Sequence, residues 1–237
     1  MELNFFDLTI INFFNQFSKL STEFDITVKF MSGNHLTKGV FLLILFWWGW
    51  FRVNKDQLSV QVHLVSTLFA SFFAMILARA LALLLPLRLR PLHEENLDFI
   101  LPRGMSASML EGWSSFPSDH AVLFYALSTG MFYISKKVGI IAILYTTIFI
   151  GLPRVYLGLH YPTDVIAGAF IGIVITLLFN SNSFIEKIAR SSINISRIKP
   201  EIFYPIFFLI TYQIADMFDS SRDFISFSFR LMKRILG

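Results

Sequence analysis

Two histidines and one aspartate are spaced as a nucleophilic site would need them. His160 and Asp164 are four residues apart, close to one helical turn, so the carboxylate can hold one imidazole nitrogen and fix its tautomer. The other nitrogen is then free to attack an electrophile. A second imidazole, His120, can protonate a leaving oxygen. These residues predict group transfer with a histidine nucleophile and a histidine acid.

Arginines in the same stretches of sequence can bind an anion. Arg79 lies inside an apolar segment, Arg88 and Arg90 follow that segment, and Arg154 lies near the end of another. A guanidinium offers forked donors to phosphate oxygens and stays charged at any relevant pH. Ser118 can cap a helix start, where free N–H groups attract phosphate. The set predicts phosphoryl transfer by positioning and charge stabilisation, without a metal or another cofactor.

The composition places this chemistry in a membrane. Of the 237 residues, 55% are hydrophobic and 15% are charged, whereas about 25% are charged in soluble domains. The absence of Cys excludes a thiolate metal site and a cysteine nucleophile. The net charge of +4 forms no long basic run, so we expect no nucleic-acid partner. The expected partner is the lipid bilayer, and the sequence does not indicate an oligomeric state.

Apolar segments predict an all-α, polytopic bundle of five to six transmembrane helices in a single domain over residues 1–237. A spanning helix needs about 20 mainly apolar residues. The candidate spans are 40–51 (extended back to about residue 38), 60–85, 121–135, 138–157 and 165–180, with 202–217 as a weaker sixth. The predicted catalytic core covers residues 35–180, and residues 200–237 are predicted to form a C-terminal helix and tail.

The N-terminal segment, residues 1–30, has a different pattern. Apolar residues recur there at helical spacing with polar residues between them: Phe6, Ile10, Phe13, Phe14 and Phe17. This pattern predicts an amphipathic helix that lies in the membrane interface. The alternative, in which the apolar face packs on the helix bundle, remains equally open.

Lysine and arginine are concentrated in three loops, which the positive-inside rule assigns to the cytosol. They are Arg52, Lys55, Lys136, Lys137, Lys187, Arg190, Arg197 and Lys199. The candidate site residues then fall on the extracytoplasmic half of the membrane. If segment 202–217 spans, the basic tail lies outside as well. Either that segment does not cross, or late charges do not set the topology.

Three sequence blocks resemble the signature motifs of the type 2 phosphatidic acid phosphatase superfamily, which includes membrane lipid phosphatases. The blocks are Arg90-Pro91, Pro117-Ser118-Asp119-His120, and Arg154 followed by His160 and Asp164. They span residues 79–164, and the helical layout extends the similarity over about residues 35–180. The third block is the most specific, because this spacing of Arg, His and Asp is rare by chance.

The resemblance implies a role for each matching residue. His160 would be the nucleophile that forms a phosphohistidine, and Asp164 would orient it. His120 would be the general acid for the leaving group and would later activate water. The candidate phosphate-binding residues are Arg90, Arg154 and Ser118 by the resemblance, with Arg79 and Arg88 added by position.

Three positions depart from the family pattern. The first motif usually has Lys where this chain has Leu83, seven residues before Arg90. Arg79, eleven residues before Arg90, can replace it because both positions lie within about 20° of the face of Arg90 on a helix. Pro153 stands where Ser is usual, which predicts a lost hydroxyl contact and a kink. Asp119 replaces the usual Gly and resembles bacterial undecaprenyl diphosphate phosphatases. We expect Arg88 to offset its charge.

The resemblance implies a phosphatase of the bacterial inner (cytoplasmic) membrane, with its site on the periplasmic or extracytoplasmic side. The favoured substrate is undecaprenyl diphosphate, which would be converted to undecaprenyl phosphate. Alternative substrates are phosphatidate and phosphatidylglycerol phosphate. A lipid phosphotransferase would use the same phosphohistidine, and a non-catalytic relative would only bind lipid. The sequence does not separate these functions.

Overall fold

The computed structural model describes residues 4–53 and 55–236, which form α-helices and no β-strand. In these ranges the α-helices are α1 (Phe5–Asn15), α2 (Thr22–Gly33), α3 (Phe41–Phe51), α4 (Gln57–Leu84), α5 (Asp119–Gly130), α6 (Lys136–Tyr145), α7 (Leu152–Tyr156), α8 (Pro162–Asn180), α9 (Ser183–Ile198), α10 (Pro200–Ala215) and α11 (Asp219–Leu236). A π-helical turn precedes α3, and another joins α6 to α7. The all-α prediction is confirmed.

Within the described ranges, three helices are long and apolar enough to cross a membrane. They are α4, α8 and the continuous helix Lys136–Tyr156, which correspond to the predicted spans at 60–85, 165–180 and 138–157. The apolar helix Leu36–Phe51 is shorter. Helix α5 ends at Gly130 and is followed by a 3₁₀ turn, so one continuous span over 121–135 is wrong at its C-terminal end. The total of five to six crossings stays a prediction.

Helices α4, α5 and α8 form the centre of the bundle, and two glycines of α8 allow it to pack directly on the backbone of α5. A Cβ on Gly168 would lie 2.6 Å from the Ser118 carbonyl oxygen, and one on Gly172 would lie 2.3 Å from the Val122 carbonyl oxygen. Small residues four apart allow helices to approach closely in a membrane. The start of α5 is thereby held against the start of α8, where the Ser118 N–H donates to the Asp164 carbonyl at 3.2 Å.

Helix α10 lies antiparallel to α3. Near one end, Trp50 Nε1 is 3.5 Å from the Tyr204 hydroxyl, and near the other end Gly39 packs directly on the Ala215 backbone. The weaker sixth segment is therefore helical and follows the first apolar helix along its length. Whether it crosses the bilayer stays a prediction.

Helix α1 packs on the bundle through a narrow stripe made of Asp7, Ile11 and Asn15, which are all buried. Ile10 and Phe14 are partly buried beside this stripe. The remaining members of the expected apolar face are exposed: Phe6, Phe13 and Phe17. Packing on the bundle thus holds for one edge of the helix, and an interfacial position for the exposed phenylalanines stays a prediction.

Candidate active site

Three segments of the chain meet at one end of the bundle, and backbone hydrogen bonds hold them together. The Ser115 N–H donates to the Arg88 carbonyl at 2.9 Å, and the Leu92 N–H donates to the Gly158 carbonyl at 3.1 Å. The segments that follow α4, precede α5 and precede α8 therefore lie side by side. The structure brings together the three blocks that carry the predicted site residues.

His160 lies in the turn between α7 and α8 and is only 3% exposed. Its Nδ1 is 2.7 Å from the Ser115 carbonyl oxygen. Because a carbonyl only accepts hydrogen bonds, Nδ1 carries the proton and Nε2 presents a lone pair. Nε2 lies 3.3 Å from a guanidinium nitrogen of Arg90. The ring is thus held in the tautomer and orientation that a nitrogen nucleophile needs.

The position of Asp164 differs from the expected hydrogen bond to His160. Its Oδ2 is 3.9 Å from His160 Nδ1 and instead accepts the Tyr161 N–H at 2.8 Å. The physical reason is that α8 begins at Pro162, so His160 and Asp164 do not share a helical turn. The other oxygen, Oδ1, accepts a hydrogen bond from Arg88. Asp164 fixes the turn that carries His160, and the Ser115 carbonyl fixes the imidazole.

The surroundings of His160 keep its imidazole neutral. Burial holds the pKa of His160 well below its ordinary value, and the Arg90 guanidinium lowers it further. The ordinary pKa of a histidine is about 6.5. Neutral imidazole, the form that can attack phosphorus, is therefore the form present at neutral pH.

Two arginines are buried next to this imidazole without a carboxylate partner among the described residues. Arg90 is 5% exposed and donates to the Leu159 carbonyl at 2.5 Å and the Ser114 carbonyl at 3.1 Å. Arg154 is 8% exposed and donates to the Ser32 carbonyl at 2.9 Å. In each, the Nε–H is buried and has no hydrogen-bond acceptor. Both guanidinium groups thus retain positive charge and a free donor.

Arg154 is placed by an irregular helix. The helix that begins at Lys136 widens into a π-helical turn over Thr146–Gly151, directly before Pro153. Proline lacks the N–H that a regular helix would use there and crowds the preceding turn. The distortion expected from Pro153 is thus a π turn, and it lies directly before the short helix that carries Arg154.

His120 has its own carboxylate partner. Its Nδ1 is 2.9 Å from Asp119 Oδ1, while the other oxygen of Asp119 is 3.3 Å from the Arg79 guanidinium. The Arg79 guanidinium also lies 5.3 Å from the centre of the Trp113 ring. Asp119, the departure from the family pattern, therefore orients His120, and its charge is balanced by Arg79. The expectation that Arg88 offsets Asp119 is wrong.

Arg79 reaches the second block by a different route from the one its sequence spacing predicts. Helix α4 ends at Leu84, so Arg79 and the first motif are not on one continuous helix and the comparison of helical faces does not apply. Leu83, which stands at the position of the usual Lys, is 74% exposed and is apolar, so it supplies no charge to the site. Arg79 therefore contacts the second block through its ion pair with Asp119.

The side chains of Arg88 and Ser118 already form hydrogen bonds with other groups of the protein. The two terminal nitrogens of Arg88 bond to Asp164 and Asp7, and its guanidinium lies 4.3 Å from the centre of the Tyr161 ring. Ser118 caps α5 by accepting the Ala121 N–H, as predicted for a helix start. The phosphate-binding role of both residues stays a prediction, and Arg88 has no terminal nitrogen left without a partner.

Sequence reasoning missed three residues of this region: Asp7, Ser115 and Lys38. Asp7 is a lone carboxylate in an otherwise uncharged helix, which is the signal that could have drawn attention to it. Ser115 acts through its backbone carbonyl, which leaves no sequence signal. Lys38 looked like the polar end of an apolar segment, yet it is buried, pairs with Asp219 at 3.4 Å and interacts electrostatically with Arg154 and His120.

Among the described residues, one cluster could hold a metal ion, and it consists of His35, Asp216 and Asp219. His35 and Asp216 already contact each other at 2.6 Å, and the Lys38 ammonium lies beside Asp219. The carboxylates of this cluster therefore already have side-chain partners in the protein. His63 lies elsewhere, stacked on Tyr133 at 4.0 Å, as expected for a histidine outside the site.

Nuclear magnetic resonance of the imidazole nitrogens tests the state of His160. In uniformly ¹⁵N-histidine-labelled protein in detergent, we expect the His160 ring to be neutral and protonated on Nδ1 at pH 6, because its pKa lies below about 6.5. Protonation of His160 is less favourable in the native protein than in the unfolded chain, so the native protein loses stability as the pH drops below about 6.5. The His160→Gln variant assigns the signal. A doubly protonated His160 ring at pH 6 would contradict this description.

Several known proteins are similar to this chain. The bacitracin transport permease protein BcrC of Bacillus licheniformis is 25% identical over 178 residues, which cover 75% of this chain and 80% of that protein. The undecaprenyl-diphosphatase BcrC of Bacillus subtilis strain 168 is 30% identical over 90 residues. That second match covers 38% of this chain and 42% of the relative, less than half the length of either.

A crystal structure of a transmembrane PAP2-type phosphatidylglycerolphosphate phosphatase from Bacillus subtilis is also similar, with 22% sequence identity and a TM-score of 0.49 over 77% of this chain and 85% of that one. Residues 64–186 match the PAP2 superfamily. The match covers just over half of the chain and includes all three motif blocks. The chain therefore belongs to the PAP2 superfamily, and the prediction of a membrane phosphatase is confirmed.

Proposed function

We propose that this protein removes the terminal phosphate of undecaprenyl diphosphate through a phosphohistidine at His160. The observation that carries the proposal is the pair of buried guanidinium groups of Arg90 and Arg154. A buried charge without a partner costs several kcal/mol. A phosphoryl group beside His160 Nε2 would balance both charges and accept hydrogen bonds from both Nε–H groups, which have no acceptor among the residues that the structure describes.

The reaction proceeds in two steps that conserve atoms and charge. His160 Nε2 attacks the terminal phosphorus, the bond from phosphorus to the bridging oxygen breaks, and His120 donates a proton to that oxygen. The first product is the lipid monophosphate. His120 then takes a proton from water, the hydroxide attacks the phosphohistidine, and the phosphorus–nitrogen bond breaks to release inorganic phosphate. Arg90 and Arg154 bind the phosphoryl oxygens throughout, so we expect activity in the presence of EDTA.

A long apolar substrate suits the surroundings of the site. Exposed leucines at the end of α4, Leu83, Leu84 and Leu85, lead from the apolar surface to the segment that carries Arg88 and Arg90. A prenyl chain can lie along this surface while the diphosphate reaches the arginines. The similarity to an undecaprenyl-diphosphatase and the Asp119 variant of the second motif support this lipid over a glycerophospholipid.

Phosphate release by the purified protein tests the substrate. Undecaprenyl diphosphate, phosphatidate and phosphatidylglycerol phosphate are compared in detergent with EDTA present. We expect the prenyl diphosphate to have the highest kcat/KM, and His160→Ala to lower that value by at least about 1000-fold because the nucleophile is lost.

Each other outcome of this assay assigns a different function. Preference for a glycerophospholipid would replace the proposed substrate. Phosphate release only when an acceptor lipid is added would indicate a phosphotransferase. Equal rates for wild type and His160→Ala would overturn the phosphohistidine, and a folded wild type that binds these lipids without turning any of them over would be a non-catalytic relative.

We propose that the protein resides in the bacterial cytoplasmic membrane with the site on the extracytoplasmic side, as the basic loops indicate. Because the chain contains no Cys, single cysteines report topology without background. In intact cells, a membrane-impermeant maleimide is expected to label Glu95→Cys, in the exposed loop beside the site, and to label Lys137→Cys only after permeabilisation. The reverse pattern would place the site in the cytosol.

A further inference from the structure

The carboxylate of Asp7 lies far from the three motifs in sequence but is bonded directly to residues of the site. It is fully buried on α1 and accepts hydrogen bonds from the Thr163 N–H at 2.9 Å and the Thr163 hydroxyl at 2.7 Å. It also accepts one from the Arg88 guanidinium at 2.7 Å. Asn4, the N-cap of α1, donates to the same carboxylate at 3.1 Å. The hydrogen bonds of Asp7 thus connect α1 to Arg88, two residues before the first block, and to Thr163, inside the third block.

Arg88 bridges two carboxylates. One terminal nitrogen pairs with Asp7, and the other bonds to Asp164 and, at 3.0 Å, to the Thr163 hydroxyl. The flat face of the guanidinium covers the Tyr161 ring. Two carboxylates therefore bind one guanidinium. Contacts on both of its edges and on one face fix its position.

This chain of contacts ends at the nucleophile. Arg88 holds Asp164 Oδ1, while Asp164 Oδ2 caps the Tyr161 N–H, and Tyr161 directly follows His160. We propose that Asp7 is a positioning residue for catalysis: the N-terminal helix locks Arg88 and Thr163 through Asp7 and so keeps the His160 turn aligned for attack. The inference rests on the proposed phosphatase reaction. Asp7 lies outside residues 64–186, the region that matches the PAP2 superfamily.

The charge of Asp7 matters as well as its shape. If a neutral residue replaced Asp7, Asp164 would be the single charged partner of Arg88, and the electrostatic attraction of the guanidinium would act on that carboxylate alone. One edge of its guanidinium would also be free to move away from the Asp7 carboxylate. The reacting groups would then be misaligned in the transition state, although the arginines that bind phosphate would remain. The expected consequence is a lower kcat with little change in KM.

The test compares Asp7→Asn with Asp25→Asn. Asp25 is an equally buried carboxylate on the other N-terminal helix, where it accepts from Tyr156 and from the Arg103 N–H at 2.8 Å without contacting Arg88 or Thr163. We expect Asp7→Asn to lower kcat by at least about 10-fold and to change KM by less than about 3-fold. Asp25→Asn is expected to keep wild-type kcat, and thermal unfolding midpoints measured in parallel separate lost stability from lost alignment.

A double-mutant cycle shows whether Asp7 acts through Arg88. Asp7→Asn combined with Arg88→Gln should cost no more kcat than the stronger single variant, whereas Asp7→Asn combined with Asp25→Asn should be additive. If Asp7→Asn alone does not fold, the Asp7→Asn/Arg88→Gln protein, which removes both charges, takes its place. Wild-type kcat in that protein, or equal losses in Asp7→Asn and Asp25→Asn, would overturn the inference.

Orthovanadate binding distinguishes a failure of this inference from a failure of the proposed function, because it needs no turnover. Vanadate that bonds to a well-oriented His160 stabilises the protein against heat. We expect at least about 10-fold weaker vanadate binding in Asp7→Asn and unchanged binding in Asp25→Asn. Wild-type vanadate binding in Asp7→Asn overturns the positioning role. A wild type that releases no phosphate from any tested lipid overturns the proposed function alone.

Discussion

The burial of two guanidinium groups, neither with a carboxylate in contact among the described residues, is the constraint on which the rest of the site depends. Arg90 and Arg154 bond to backbone carbonyls, and each keeps a buried Nε–H without an acceptor. Burying these charges in a low-dielectric environment is unfavourable in the absence of an anion. The same low dielectric makes their attraction to a bound anion strong. The anion would sit against His160 Nε2, so the energy spent on burying the charges is recovered as binding of the phosphoryl group.

Rigid surroundings keep these charges from relaxing toward the protein's own acids. The glycines of α8 hold its start against the start of α5, which brings the second and third blocks together. The two carboxylates near these arginines already have partners: Asp164 bonds to Arg88, and Asp119 bonds to His120 and Arg79. Asp119 thus orients the His120 imidazole and Asp164 fixes the turn that carries His160, while Arg90 and Arg154 are left without a carboxylate in contact among the described residues.

The sequence predicted the parts of the structure that depend on patterns of residue type. Long apolar segments predicted α4, α8 and the helix that ends after Arg154, and the distribution of basic loops predicted that the segments carrying His120 and His160 lie at one end of the bundle. It could not predict contacts that depend on where a helix ends. Helix α4 stops at Leu84, which separates Arg79 from the first motif, and the partner of His160 is a backbone carbonyl. The link from Asp7 to Arg88 joins distant segments and becomes visible only in the folded chain.

The central claim is that His160 carries the phosphoryl group, and trapping the intermediate tests it most directly. The protein is mixed with undecaprenyl diphosphate labelled in its terminal phosphate, quenched in alkaline detergent within one turnover, and digested for mass spectrometry. We predict an alkali-stable, acid-labile phosphate on His160 in the wild type, and in His120→Ala a phosphate that, once formed, decays more slowly because water activation is lost. Active protein whose label lies on another residue, or that forms no labelled protein in either form, would contradict the account.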